Sequence, residues 1–181
     1  MEELSSIVIK PVVKENWSDF ETLFQSKGIL RNCWCMAWRM TKEELKNNNS
    51  ECRKEYMKQR VWSGTPIGLL AYAGDEAVAW CSIAPRETYQ RLAGDETLEN
   101  VWSIACFYIK NEYRDKGLIY VLIDEAKNYA RRNGAKYVEA YPVAPDSPSY
   151  RYMGFIKTFE KTDFTFVKKA GTRRNVMIHR L

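Results

Sequence analysis

Three consecutive stretches decide the fold: VWSIACFYI at 101–109, KNEYRDKG at 110–117 and LIYVLIDEAKNYARRNG at 118–134. The first is an unbroken apolar run with aromatic and β-branched members and neither Gly nor Pro. It has no polar face, so it reads as a central strand covered on both sides. The third is amphipathic. Ile119, Leu122, Ile123, Ala126 and Ala130 repeat at helical spacing, with Asp124, Glu125, Lys127, Asn128 and Arg131 opposite. Arg131 and Arg132 suit the last turn, and Asn133-Gly134 supplies a left-handed stop. Between them lies a polar loop with a basic centre and a single glycine. A strand feeding such a loop into a helix aims unpaired backbone N–H groups at one point, where the helix dipole adds its field. That is a place for an anion, and phosphate is the usual guest.

The wording of the loop, FYIKNEYRDKGLI from Phe107 to Ile119, resembles the acetyl-CoA-binding segment of the GNAT N-acetyltransferase superfamily. That segment is an apolar strand followed by Arg/Gln-x-x-Gly-x-Gly/Ala at the helix start. Arg114, Gly117 and Ile119 stand at its three marked positions. The resemblance implies that Arg114, Asp115, Lys116, Gly117, Leu118 and Ile119 hold the CoA pyrophosphate, with Phe107 and Ile109 along the pantetheine arm. Two residues depart from the pattern. Ile119 stands where the family has a small residue, and Asp115 where glycine is frequent.

The chain has 181 residues, the size of one domain spanning 1–181 with a core of its own. Its 45% hydrophobic and 28% charged residues are ordinary for a globular protein. No apolar run approaches the ~20 residues that span a bilayer. The start, MEELSSIVIK, opens with acids and lacks a basic segment followed by a long apolar one, so the expectation is a cytoplasmic protein without a membrane partner. Five Cys is an odd count and fits reduced thiols. The net charge of +5 favours anionic ligands without the clustering of a nucleic-acid binder. The densest basic run, 168–174, reads as a hairpin turn.

Elsewhere the pattern predicts a strand over 6–13 and a helix over 16–27 with Trp17, Phe20, Leu23 and Phe24 on one face. A compact aromatic and cysteine segment follows at 32–40, then a helix over 51–62. A hairpin of 68–72 and 77–84 turns about Gly74-Asp75, a strand follows at 137–142, and a last strand pair occupies 164–169 and 175–180. The order gives an α/β (α+β) three-layer fold, a mixed central sheet flanked by helices, and it matches the order in the GNAT fold. A later segment, FEKTDF at 159–164, resembles the family's Tyr-Glu-Lys-x-Gly-Phe, with Phe159 for the tyrosine and Asp163 for the glycine.

The resemblance implies transfer of an acetyl group from acetyl-CoA to a small-molecule or peptide amine by direct attack, and it allows a homodimer. Many family members use that tyrosine to protonate the departing thiolate. Phe159 has no proton to give, so the acid falls to Tyr150 or Tyr152 in the 143–158 insert. The competing alignment, YRYMGF at 150–155, puts Tyr150 in the acid's place. For the base, Glu139 lies among apolar neighbours in a strand, where a carboxylate is costly unless paired or used. Trp34 and Trp38 are candidates to line an acceptor groove, and Arg86 to bind an acceptor carboxylate. No metal is expected. Cys33-Trp34-Cys35 offers a tight pair, but there is one His, and structural zinc takes four ligands. Cys81 and Cys106 read as small buried hydrophobes. The alternative function is a CoA-binding regulatory module without chemistry, for which the missing acid and the missing strand glutamate speak.

Overall fold

The computed structural model describes residues 6–26 and 33–181. Among these residues seven strands form one sheet: β1 Ile7–Pro11, β2 Leu69–Ala73, β3 Glu76–Pro85, β4 Val101–Ile109, β5 Tyr137–Ala140, β6 Thr165–Ala170 and β7 Arg174–Arg180. Their order across the sheet is β1-β2-β3-β4-β5-β7-β6. Among the described strands only β4 and β5 pair in parallel. Among the described residues the helices are α1 Trp17–Gln25, α2 Ser50–Trp62, α3 Leu118–Arg132 and α4 Ile156–Glu160. The sheet is mixed and helices cover both faces, as the element order predicts. No described helix is long and apolar enough to cross a membrane.

The two faces are built differently. On one, α3 lays Leu122, Ile123, Ala126 and Ala130, all fully buried, onto Leu69, Val78, Ile83, Ile104 and Phe107. Each large side chain so buried contributes roughly 1.5–3 kcal/mol, and Leu122→Ala costs about 2–5 kcal/mol. The helix ends where its sequence says: Gly134, at φ 82, donates its N–H to the Arg131 carbonyl at 3.1 Å. On the other face, α1 sinks Trp17, Phe20, Leu23 and Phe24 against Leu70 and Trp80. The segment after residue 33 joins them as a run of tight turns, with Trp34 and Cys35 in left-handed conformation at φ 48 and 53. Lys27 and Asn32, the far end of the predicted helix and the start of the aromatic and cysteine segment, lie outside the described residues.

Two features of β4 shape the site. Its pairing with β3 shifts register between Ser82 and Ile83, which leaves Ala105 as an extra residue between Ile104 and Cys106. A bulge re-aims the side chains beyond it. Ala105 and Cys106 thereby both join the α1 side, while Phe107 packs on the α3 side. Pairing with β5 covers only Val101 to Ile104, so the rest of β4 has no strand on that side. The chain leaves β5 at Ala140, and the 143–158 insert, expected as a loop, folds into a 3-10 turn at Arg151–Met153 and then α4. The five residues of α4 are too few for a helical period to show.

Candidate active site

The phosphate-type loop forms as the spacing requires. Asp115 has φ 58 and Gly117 has φ 90. Aspartate is one of the few L-residues that adopts this conformation readily, which explains how it stands where glycine is frequent. Gly117 caps α3 without any side-chain hydrogen bond; the Tyr120 N–H turns back to the Gly117 carbonyl at 3.0 Å, and the N–H groups before it are the ones that face an anion at the helix start. Arg114 donates from Nε to the Ile109 carbonyl at 2.8 Å, which ties the loop to the strand end and leaves the residue exposed. The Lys116 ammonium lies 5.9 Å from the Tyr113 ring centroid.

From this loop a cleft of about 680 Å³ runs along the open side of β4. Phe107, Ile109, Arg114, Asp115, Gly117, Leu118 and Ile119 line it, whereas Lys116 sits on the loop outside the lining. The far end is walled by Cys33, Cys35, Cys106, Tyr108 and Tyr152. From Ile109 back to Ala105 the strand spans roughly 13 Å at ~3.3 Å per residue, enough for an extended arm between an anion at the loop and a reacting group at the thiols. The residues present fit CoA: uncapped amides for its phosphates, and a narrow, mostly apolar groove with free strand edge beyond.

The structure gathers the other predicted residues elsewhere. Glu139 is fully buried and does not line the cleft. Arg86 donates to it from Nη1 at 3.0 Å, Asp95 N at 2.8 Å, and the Tyr141 hydroxyl at 2.7 Å. A Cβ on Gly94 would collide with the same carboxylate, so the loop closes over it. Three donors meet the carboxylate, and the residue expected as the base forms an ion pair with Arg86. Arg86 also donates to the Asp95 and Leu98 carbonyls at 2.6 Å each, and it borders a separate cavity with Glu87, Tyr89 and Glu96 rather than the cleft. Trp34 is core: it stacks on Phe24 at 5.8 Å and donates from Nε1 to Ser50 Oγ at 3.1 Å. Trp38 packs 5.9 Å from the Tyr150 ring, and the Arg174 guanidinium covers it at 4.3 Å. Neither tryptophan lines the cleft. Of the two tyrosines, Tyr152 reaches the cleft and Tyr150 does not. Burial pushes the Tyr152 phenol up to about 12, so it stays protonated. Phe159 is fully buried against Phe107 and Phe164, at 6.1 and 5.1 Å.

What sequence reasoning missed is the thiol end. Cys106, expected as a core residue, is turned into the cleft wall by the bulge. Burial pushes the Cys33 thiol up. Cys106, beside Cys35 and itself buried, is held well above the ordinary thiol range, and its Sγ donates to the Phe107 carbonyl at 3.9 Å. Cys35 goes the other way, down to about 6: the neighbouring Cys106 thiol, the Arg39 guanidinium and Ser82 favour its thiolate against burial. Arg39 is wholly buried, donating from Nη2 to Ile67 O, Ser82 Oγ and Tyr89 OH at 2.7, 3.0 and 2.7 Å. The one signal in the sequence was the grouping CWC with an arginine four residues on.

The fold and cleft are those of an acyl-CoA-dependent transferase. The sequence profile of the Acetyltransferase (GNAT) family matches residues 30–155, and the chain belongs to that family. Solved structures agree on the fold. PaiA N-acetyltransferase from Thermoplasma acidophilum, in complex with coenzyme A, has TM-score 0.60 at 18% identity, covering 97% of this chain and 99% of its own. YncA from Salmonella typhimurium, a putative acetyltransferase with acetyl-CoA, has TM-score 0.55 at 15% identity, covering 97% and 94%. Ribosomal-protein-alanine N-acetyltransferase from Brucella melitensis has TM-score 0.56 at 16% identity, covering 96% and 99%. No curated protein matches the chain.

Proposed function

We propose that this chain is an N-acetyltransferase that moves the acetyl group of acetyl-CoA directly onto a primary amine, acting as a single cytoplasmic domain. The observation that carries the reading is the continuity of the cleft, which joins the uncapped start of α3 to the free edge of β4. Diphosphate would rest on the amides after Gly117, with the Arg114 charge near it, and the acyl group would lie toward Cys106. Strand N–H groups at 107–109 would polarise the thioester carbonyl and stabilise the charge that builds there, as oxyanion donors do. The amine nitrogen attacks the carbonyl carbon, the C–S bond breaks, and the sulfur leaves with the electron pair. Tyr152, protonated and in the cleft, would give that sulfur its proton, and the proton shed by the new amide nitrogen would pass through water to restore the phenol. The Tyr150–Tyr152–Trp38 cluster and Arg151 stand nearest the side from which the acceptor would come.

A CoA-binding module without chemistry is favoured by one observation: among the described residues the only carboxylate lining the cleft is Asp115, at the phosphate end. One experiment separates the two. Release of free CoA thiol from acetyl-CoA is followed with a panel of primary amines. Amine-dependent release supports the transferase; CoA binding without release on any amine leaves the module.

A further inference from the structure

The expected partner of an acceptor carboxylate, Arg86, is tied to Glu139. A second arginine stands differently. Arg174 opens β7, and its backbone is fixed on both sides, paired with Ala170 on β6 and bridged to Val143 on the chain leaving β5. Only 8% of it is exposed. Its Nη1 donates to the Leu92 carbonyl at 3.0 Å. Among the described residues its side chain makes no other hydrogen bond and no ion pair, so Nε and Nη2 are left without a partner. Glu87 and Glu96 border a separate cavity with Leu92, and neither pairs with Arg174.

Rings meet the charge instead. The guanidinium lies 4.3 Å from the Trp38 ring, 5.7 Å from Tyr150 and 5.9 Å from Tyr141. Ring faces offset part of the cost of a buried cation, but they accept no N–H bond in its plane. The titratable groups around it are the phenols of Tyr150, Tyr141 and Tyr152, and none is a carboxylate. Trp38 adds a further donor, its Nε1, buried and unpartnered among the described residues. A buried cation with unused donors and no anion is costly, and an entering oxygen anion would relieve that cost. The geometry selects the anion. With Nη1 spent on Leu92 and Trp38 against the face, the side edge remains, where the Nε and Nη2 hydrogens lie parallel. A carboxylate is planar and takes two such bonds edge-on. The place is right for an acceptor. Tyr152 walls the acyl end of the cleft, and the Tyr150 ring, 6.4 Å from it, leads on to Arg174. Arg151 on the cleft wall adds positive charge to the approach.

We infer that Arg174 is the receptor for the acceptor's carboxylate, and that the acceptor is an amino acid rather than a simple amine. The assignment rests on the transferase reading above and names its substrate class. The carboxylate docks on the Nε–Nη2 edge, and the amine points back past Tyr150 toward the thioester. The gap between the two positions fixes how many bonds separate amine and carboxylate in the preferred acceptor.

The test follows release of CoA thiol from acetyl-CoA with glycine, β-alanine, γ-aminobutyrate and longer ω-amino acids, each beside its carboxamide. At one spacing or more, wild type should favour the acid over its amide by at least about tenfold in kcat/KM, the worth of a charge-assisted hydrogen bond, and chiefly through KM. Arg174→Gln should bring that ratio close to one. Arg174→Lys, which keeps the charge and loses the fork, should lower it by less. Equal kcat/KM for every acid and amide in wild type overturns the receptor role and leaves the transferase reading standing. An undiminished preference in either folded variant overturns it too. Wild type that releases no thiol with any amine, charged or neutral, overturns the transferase reading and the receptor role with it.

Discussion

Two arginines face the same side of the sheet and meet opposite fates. Arg86 has a carboxylate: it and Glu139 pair at 3.0 Å, with Tyr141 and Asp95 N completing the carboxylate's shell. Arg39, more deeply buried, has only carbonyl and hydroxyl oxygens and the ring of Tyr89 at 4.2 Å. A guanidinium with a permanent, fully satisfied anion is a structural tie. One that meets only neutral oxygens and a ring has no such tie. The difference shows where a carboxylate is built into the fold: Glu139 is held by Arg86, Tyr141 and Asp95 N and does not line the cleft.

Glu139→Gln tests this contrast most strongly. Removing one charge of a buried pair costs about 3 kcal/mol or more, read as a lower denaturant midpoint, and the shape of the pH–rate profile should not change. Loss of that profile's acid limb in Glu139→Gln, at unchanged stability, would invert the comparison.

Tyr152→Phe gives a smaller effect, about tenfold in kcat with little change in CoA affinity, whereas Tyr150→Phe should stay near wild type, because its ring packs on Trp38 outside the cleft. Equal losses in both would mean that the cluster as a whole, rather than one phenol, serves the departing thiolate. Smallest is a stability signature. The Cys35 thiol is lowered from 9.0 to about 6 on folding, so between those values the unfolded chain binds more protons than the folded one. Stability therefore rises with pH across that window and is lost as pH falls through about 6. Cys35→Ser should flatten that part of a melting-temperature series, and Glu139→Gln should leave its slope unchanged.

Much of this was open to reading in the chain itself. The strand of β4 and the helix of α3 follow from local period and composition, and the loop between them from one glycine and its basic neighbours. Those signals live within a few residues of each other. The errors share a cause, which is long sequence separation. Glu139 does betray its burial, since a carboxylate among Val138 and Ala140 has to be compensated, but its partner lies 53 positions away. No local pattern tells an ion pair from a base. Likewise Arg39 meets Ser82 and Tyr89 at separations of 43 and 50, so its burial is invisible until the sheet is assembled. Cys106 looks like one more residue of an apolar run until the bulge at Ala105 turns it. Trp34 erred the other way: an aromatic near a presumed groove went instead to the core with Phe20 and Phe24.

All of these contrasts presuppose that the cleft holds acetyl-CoA with its phosphates at the start of α3, and titration calorimetry asks that directly. Folded wild type should bind acetyl-CoA with a Kd in the ~1 µM–1 mM range typical of enzyme substrates. Gly117→Val places a β-branched residue at φ 90 beside the first-turn amides, and should weaken binding at least about tenfold, ~1.4 kcal/mol, with the far-ultraviolet circular dichroism unchanged. Wild-type protein that is folded and takes up no acetyl-CoA, or a Gly117→Val variant that is folded and binds it equally well, would contradict the account.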